Sequence, residues 1–164
     1  MTVMSLCLRR ARAADCRLLW AWANDQAVRA VAFNSEAIAW QTHVAWFDAH
    51  LQSDTCVMNV ADTGDGIPVG QVRFDIAVNG EAEVDLSLAA EWRGHGLGSE
   101  ILRLACEAFR RQSSGVVVAR VLPENRASVR TFEKVGFQQT GRERSGRQDA
   151  IRMVLAASMR ATDG

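Results

Sequence analysis

Three glycines at alternate positions, Gly94, Gly96 and Gly98, follow an arginine, Arg93, and stand between a β-type run ending at Leu88 and a strongly periodic helix. Few arrangements constrain a chain more. Glycine has no Cβ and tolerates positive φ, so consecutive backbone N–H groups can turn toward one point and a ligand can approach the main chain closely. The helix that follows adds its unpaired N-terminal amides and the positive end of its dipole. Strand, glycine turn and helix start together form an anion site suited to phosphate or pyrophosphate.

Two common phosphate loops are excluded. The pattern G-x-x-x-x-G-K-[ST] is absent, and the chain's one lysine, Lys134, lies far from the turn. The dinucleotide fingerprint fails because Ser99 stands where its third glycine belongs, and no acidic residue follows at the required distance. The run Arg93-Gly94-His95-Gly96-Leu97-Gly98 instead resembles the Arg-Gly-x-Gly-x-Gly signature of GNAT-superfamily acyl-coenzyme A N-acyltransferases.

Length and charge set the bounds. At 164 residues the chain is expected to be one domain over residues 1–164, with a single substantial core. Nineteen basic and nineteen acidic side chains balance, which gives no bulk electrostatic case for nucleic acid or a membrane surface. Cys7, Cys16, Cys56 and Cys106 have no C-x-x-C spacing and fall in apolar periodic segments, so they read as reduced core residues of a cytoplasmic protein. His43, His50 and His95 form no ligand cluster with them, and no metal is expected.

Taken in order, residues 5–12 alternate as a first strand. A helix opens at Ala14-Asp15, with Asp15 placed to cap it or to favour its dipole, and residues 28–33 suit a further helical turn. Trp40, Val44, Phe47 and Leu51 recur with helical spacing over 40–51. Strands are expected at 56–62, 69–75 and 83–88, the last two joined as a hairpin by Asn79-Gly80. A helix runs from the glycine turn to about residue 112, a buried strand over 116–122, and a short helix over 127–135. Strands at 137–140 and 151–155 close the chain around a charged loop, 142–149. The order βααβββαβαββ matches the GNAT order. It implies a mixed α/β (α+β) fold: one mostly antiparallel, splayed sheet with helices on both faces.

A second motif strengthens the resemblance. Asn125 follows a strand and precedes a helix, where its ordinary role is an N-cap worth ~1 kcal/mol. With Ser128, Phe132, Lys134, Gly136 and Phe137 it also resembles the GNAT segment N-x-x-[AS]-x-x-x-[YF]-x-K-x-G-F. The resemblance implies acetyl-coenzyme A as acyl donor. It assigns cofactor contacts to Leu86, Leu88, Arg93, Gly94, His95, Gly96, Leu97, Gly98, Ser99, Asn125, Ser128 and Phe132. Many members carry a tyrosine at the position of Phe132 as general acid, whereas this chain has no tyrosine. A thiol with a pKa of ~8.5 leaves readily as thiolate near neutrality, so the alternatives are water, another side chain, or no acid at all, and the sequence names no general acid.

The reaction implied is transfer of acetyl to a primary amine by direct attack on the thioester. The amine must lose a proton, and Glu83 and Asp85 share one strand face, so either can serve as base, with Glu83 preferred. A backbone N–H at Leu88 is the implied donor to the thioester oxygen. Over residues 22–47 the chain is similar to the acceptor side of pseudaminic-acid-pathway N-acetyltransferases, which act on a UDP-linked amino sugar. Arg29, Asn34, Trp40 and His43 are the matching substrate contacts, although Trp40 at helical spacing also suits a core. The expected partner is a small-molecule amine, a UDP-amino sugar on this resemblance, with a homodimer left open. A protein N-terminus, a polyamine, an antibiotic amine or a non-catalytic acyl-CoA sensor are the alternatives.

Overall fold

Alternating polar and apolar positions become the strands of a single sheet. They are β1 (Leu6–Arg10), β2 (Cys56–Thr63), β3 (Pro68–Ile76), β4 (Ala82–Leu88), β5 (Val117–Val121), β6 (Phe137–Ser145) and β7 (Gln148–Leu155). The computed structural model describes residues 4–156, and its strands lie in the order β1-β2-β3-β4-β5-β7-β6. Every neighbouring pair is antiparallel except β4 and β5, which run parallel. This is the mixed, mostly antiparallel sheet expected from the sequence. The Asn79-Gly80 hairpin is present too: Gly80 takes φ +86°, and Asn79 Oδ1 accepts from the Glu81 amide at 3.0 Å.

The helices are α1 (Cys16–Ala23), α2 (Gln26–Ala30), α3 (Trp40–Leu51), α4 (Leu97–Gln112) and α5 (Arg126–Val135). They divide between the faces according to which residues they bury. Ile101, Leu102, Ala105, Cys106 and Phe109 of α4 join Val72, Phe74, Val84, Val117 and the α5 residue Phe132 in one core. Phe109 stacks on Phe74 with ring centroids 4.4 Å apart. Ile101 and Leu102 are fully buried, each contributing about 1.5–3 kcal/mol from surface removed from water. On the other face Leu19 and Trp22 of α1 and Phe47 of α3 pack over Cys56, Met58 and Val60 of β2. No helix among the described residues is long and apolar enough to cross a membrane.

Three expectations need correction. The charged segment 142–149 is not a loop: β6 and β7 stay paired as far as Ser145 and Gln148, and the turn is only Gly146-Arg147. Its charges fit a strand because β6 is an edge, where polar side chains meet water, and because Glu143 reaches Arg120 at 2.8 Å and Arg152 at 3.1 Å. Cys7 is exposed, since β1 is the opposite edge and turns Leu6 and Leu8 inward instead, and Cys16, at the start of α1, is half-buried. Burial pushes the thiols of Cys56 and Cys106 up to about 11 and about 12. Asp15 does not cap α1 with its side chain. It is buried, accepts from the Arg12 amide at 2.7 Å, and takes both terminal nitrogens of Arg9 at 2.8 and 2.9 Å, while Arg9 Nε donates to Asp62 at 2.7 Å.

The Arg9 guanidinium holds the Asp15 carboxyl below its usual 3.8. A depressed carboxylate stabilises the fold above its unfolded pKa and loses that contribution as pH falls through the folded one. Asp15→Asn is therefore expected to cost ~1.5–3 kcal/mol at neutral pH in urea denaturation. The gap from the unaltered protein should narrow below about pH 4. Parallel losses at every pH would refute this.

Candidate active site

The parallel pair β4–β5 is joined over two residues only, Ala82 with Val117 and Glu83 with Val118. Beyond that point β4 stays with β3 as far as Leu88, while β5 stays with β7 as far as Val121, so the two diverge. Strand alternation fixes what the gap exposes. The Ala82 amide points toward β5, donating to Val116 O at 2.8 Å, and the Ala89 amide points toward β3, donating to Val69 O at 2.9 Å. The amides of Leu86 and Leu88 share the orientation of Ala82 and lie beyond the last rung, facing the gap with no strand beside them. An open edge inside a sheet is a template for an extended, amide-bearing ligand.

A cleft of about 470 Å³ opens from this gap toward α1–α3. Val84, Asp85, Leu86 and Ser87 of β4, Gln71 and Arg73 of β3 and Arg120 of β5 line it from the sheet. Val28, Arg29, Phe33, Ile38, His43 and Trp46 line it from above, and Asn125, Ser128 and Phe132 from the side of α5. Gln71 is buried and its Nε2 donates to Asp85 Oδ2 at 2.8 Å and to Ser87 Oγ at 3.1 Å. Arg73 lies over the Trp46 ring at 4.9 Å and pairs with Asp75 at 2.8 Å and Asp85 at 3.8 Å. The segment 31–39 roofs the cleft and is gripped by its main chain. Trp20 Nε1 and Asn24 Nδ2 donate to Ile38 O at 2.8 and 3.0 Å, and Arg29 donates to Asn34 O at 2.9 Å.

The glycine turn lies at the exposed end of the gap. Gly94 and Gly96 take φ +77° and +75°, and Gly96 is the N-cap of the sixteen-residue α4. No heavy atom lies within 4 Å of a Cβ built on either, so the demand for glycine here is conformational. Gly98 faces Leu88, Thr131 and Leu86. The Arg93 side chain turns the other way: Nε and Nη2 donate to Leu88 O at 3.2 and 2.9 Å, and Nη1 pairs with Asp25 at 3.2 Å. It fastens the end of β4 to the cap of α2. Its guanidinium is thereby committed to groups of the protein.

The remaining residues singled out from the sequence fall on and off the cleft. Asp85 lines it, whereas Glu83 is off its wall with Oε2 held by Arg120 at 2.6 Å. Arg29 and His43 line it, whereas Asn34 and Trp40 do not. Trp40 packs edge-on against Trp20 at 5.3 Å, with Arg17 over its ring. Asn34 Oδ1 accepts from the Glu36 amide at 2.9 Å. His43 is 4% exposed, its Nε2–H donates to Cys16 O at 2.9 Å, and burial lowers its pKa from 6.5, so the ring is neutral at pH 7. Asn125 Oδ1 accepts from the Ser128 amide at 3.2 Å, the ordinary cap, and the residue lines the cleft as well. Phe132 packs edge-on against Phe137 at 5.0 Å. Sequence reasoning missed Gln71, Arg73, Ser87, Trp46 and Arg120. The polar positions Gln71-Arg73-Asp75 opposite Glu83-Asp85-Ser87 alternate in both strands of one hairpin, and that alternation marks a polar sheet face.

This architecture has known counterparts. A family model described as an acetyltransferase (GNAT) domain matches residues 5–138. The chain belongs to the GNAT acetyltransferases. It is 27% identical over 143 residues to an L-methionine sulfoximine/L-methionine sulfone acetyltransferase of Pseudomonas paraeruginosa, covering 84% of this chain and 83% of that one. Its fold superposes on the aminoglycoside acetyltransferase AAC(6')-Ib, solved with ribostamycin and coenzyme A, at a TM-score of 0.84 and 21% identity over 98% and 99% of the two chains. It matches a spermidine N-acetyltransferase of Vibrio cholerae, solved with coenzyme A and spermine, at 0.79 and 21% over 92% and 94%. Membership makes this GNAT protein an acetyl-coenzyme A-dependent N-acetyltransferase acting on amines. The gap, the left-handed glycines and the amides at the start of α4 fit an elongated donor ending in a diphosphate.

The conformational demand at Gly96 is testable. Gly96→Ala should lose about 1–2 kcal/mol of folding stability from the left-handed backbone alone. It should also weaken coenzyme A binding in isothermal titration. An alanine variant with unchanged stability and affinity would show that the turn does not need a glycine there.

Proposed function

We propose that acetyl-coenzyme A lies along the gap between β4 and β5 and that a small primary amine enters the cleft from the side of α1–α3. The observation carrying this reading is that the unpartnered amides of β4 open directly into the cavity that Asp85 lines. The main chain of residues 93–99 holds the diphosphate, with His95 offering its backbone and Ser99 its helix-start amide. The amides of Leu86 and Leu88 bind the extended arm, and Asn125, Ser128 and Phe132 flank it.

The donor supplies an acetyl group activated as a thioester. The chain positions and deprotonates the amine. Asp85 takes the role of base in preference to Glu83. Its Oδ2 is fixed by Gln71, and Oδ1 has no side-chain partner among the described residues, whereas Glu83 is committed to Arg120. The Leu88 amide is placed to meet charge developing on the thioester oxygen. The finer acceptor assignment is a UDP-linked amino sugar under the roof formed by α1–α3, with Arg29 as its polar contact. An amino-acid-like amine is the second assignment, supported by the relative that acetylates methionine sulfoximine.

Acetyl-coenzyme A at a hundred times its Kd should raise the apparent stability by about 2.7 kcal/mol in thermal unfolding. Absence of any shift would remove the donor site. With an acceptor in hand, Asp85→Asn should lower kcat by about 10²-fold or more. A larger loss in Glu83→Gln than in Asp85→Asn would return the base to Glu83.

A further inference from the structure

Among the described residues, the cleft carries one guanidinium without a counter-charge. Arg73 is paired with Asp75 at 2.8 Å and Arg120 with Glu83 at 2.6 Å and Glu143 at 2.8 Å. Arg29 is different. It is half-buried, and its bonds go to the carbonyls of Ala23 at 2.6 Å, Asn34 at 2.9 Å and Glu36 at 3.5 Å. Among the described residues no carboxylate lies within ion-pair distance of it. Carbonyl dipoles orient a guanidinium but leave its charge standing, and a partly dehydrated cation facing a cleft favours an anion there. The planar fork suits a carboxylate or a phosphate.

The opposite sign stands on the floor. Asp85 is 55% exposed at its side chain, its Oδ1 has no side-chain partner, and its nearest cation, Arg73, is 3.8 Å away and already shared with Asp75. Between roof and floor the wall is apolar, built from Val28, Phe33, Ile38 and Trp46. His43 on the same wall is neutral and adds no charge.

The geometry points to a zwitterionic acceptor: an amine that carries an anionic group, its ammonium at Asp85 and its anion at Arg29. This rests on the cleft being the acceptor site, as proposed above. A polyamine or aminoglycoside would set a second ammonium against Arg29. The acceptor class therefore differs from those bound in the superposing spermidine and aminoglycoside enzymes. The same 470 Å³ also receives the end of the donor, so the enclosed part of the acceptor is small. A carboxylate of an amino acid and a diphosphate of a nucleotide sugar are the two sources of the same chemistry.

The test measures thiol release by the full chain with saturating acetyl-coenzyme A over a matched panel. The panel holds L-methionine sulfoximine and the common L-amino acids, each beside its carboxamide, a UDP-linked amino sugar, spermine and ribostamycin. An anion-bearing amine is expected to exceed its carboxamide, or spermine in the case of the nucleotide sugar, at least about tenfold in kcat/KM. Whichever anion wins names the source. Arg29→Gln should bring that ratio close to unity, and Arg29→Lys should restore part of it. The ratio is the decisive readout, because a loosened roof would depress both members of a pair alike. Equal or better use of spermine or carboxamides, an unchanged ratio in Arg29→Gln, or no turnover of any anion-bearing amine by protein that acetyl-coenzyme A still stabilises would each overturn the proposal. Failure of acetyl-coenzyme A to stabilise the protein would instead sink the donor site itself.

Discussion

Everything in this molecule depends on two parallel strands that stop pairing. β4 and β5 share only the rungs at Ala82 and Glu83, held closed by a tight contact at their start: a Cβ on Gly115 would lie 2.5 Å from Gly80 O. Beyond that pinch each strand keeps its other neighbour, so the sheet survives as two halves with a wedge between them. An unpaired strand edge buried in protein would be costly. Opening it to a cleft makes the same amides available to a ligand.

The two faces of the sheet divide the work. One is uniformly apolar under α4 and α5 and fixes the strands. The other is apolar only over β2, and becomes polar along Gln71, Arg73 and Asp75 and their partners Glu83, Asp85 and Ser87. Farther out, Arg120 and Arg152 bind Glu81, Glu83 and Glu143 across four strands. Their charges are spent on one another. Arg29 and Asp85 are left as the charges least compensated at the cleft.

Local signals were legible wherever local chemistry decided the structure. The helical spacing of Trp40, Val44, Phe47 and Leu51 placed α3 with its observed bounds, and Asn79-Gly80 placed the hairpin. The glycine turn was readable because positive φ at Gly94 and Gly96 leaves little choice of residue. What failed depended on partners distant in sequence. The charges of 142–149 suggested a loop, because Arg120 and Arg152, which donate to Glu143, are elsewhere in the chain. Asp15 resembled a cap because Arg9 and its bridge to Asp62 could not be seen. Arg93 resembled a phosphate ligand, and its engagement with Leu88 O and Asp25 depends on how α2 meets β4. The pairing of Glu83 with Arg120 likewise depends on how β4 meets β5.

The roof over the cleft is secured by Trp20, Asn24 and Arg29, which take hold of carbonyls at Ile38, Asn34 and Glu36. Every amino acid supplies a carbonyl. The fastening is therefore indifferent to which side chains occupy positions such as 32, 33 and 38, the ones that look inward. Evolution can exchange those side chains without unbuckling the loop. A scaffold built this way can drift from one acceptor to another while its donor half stands still.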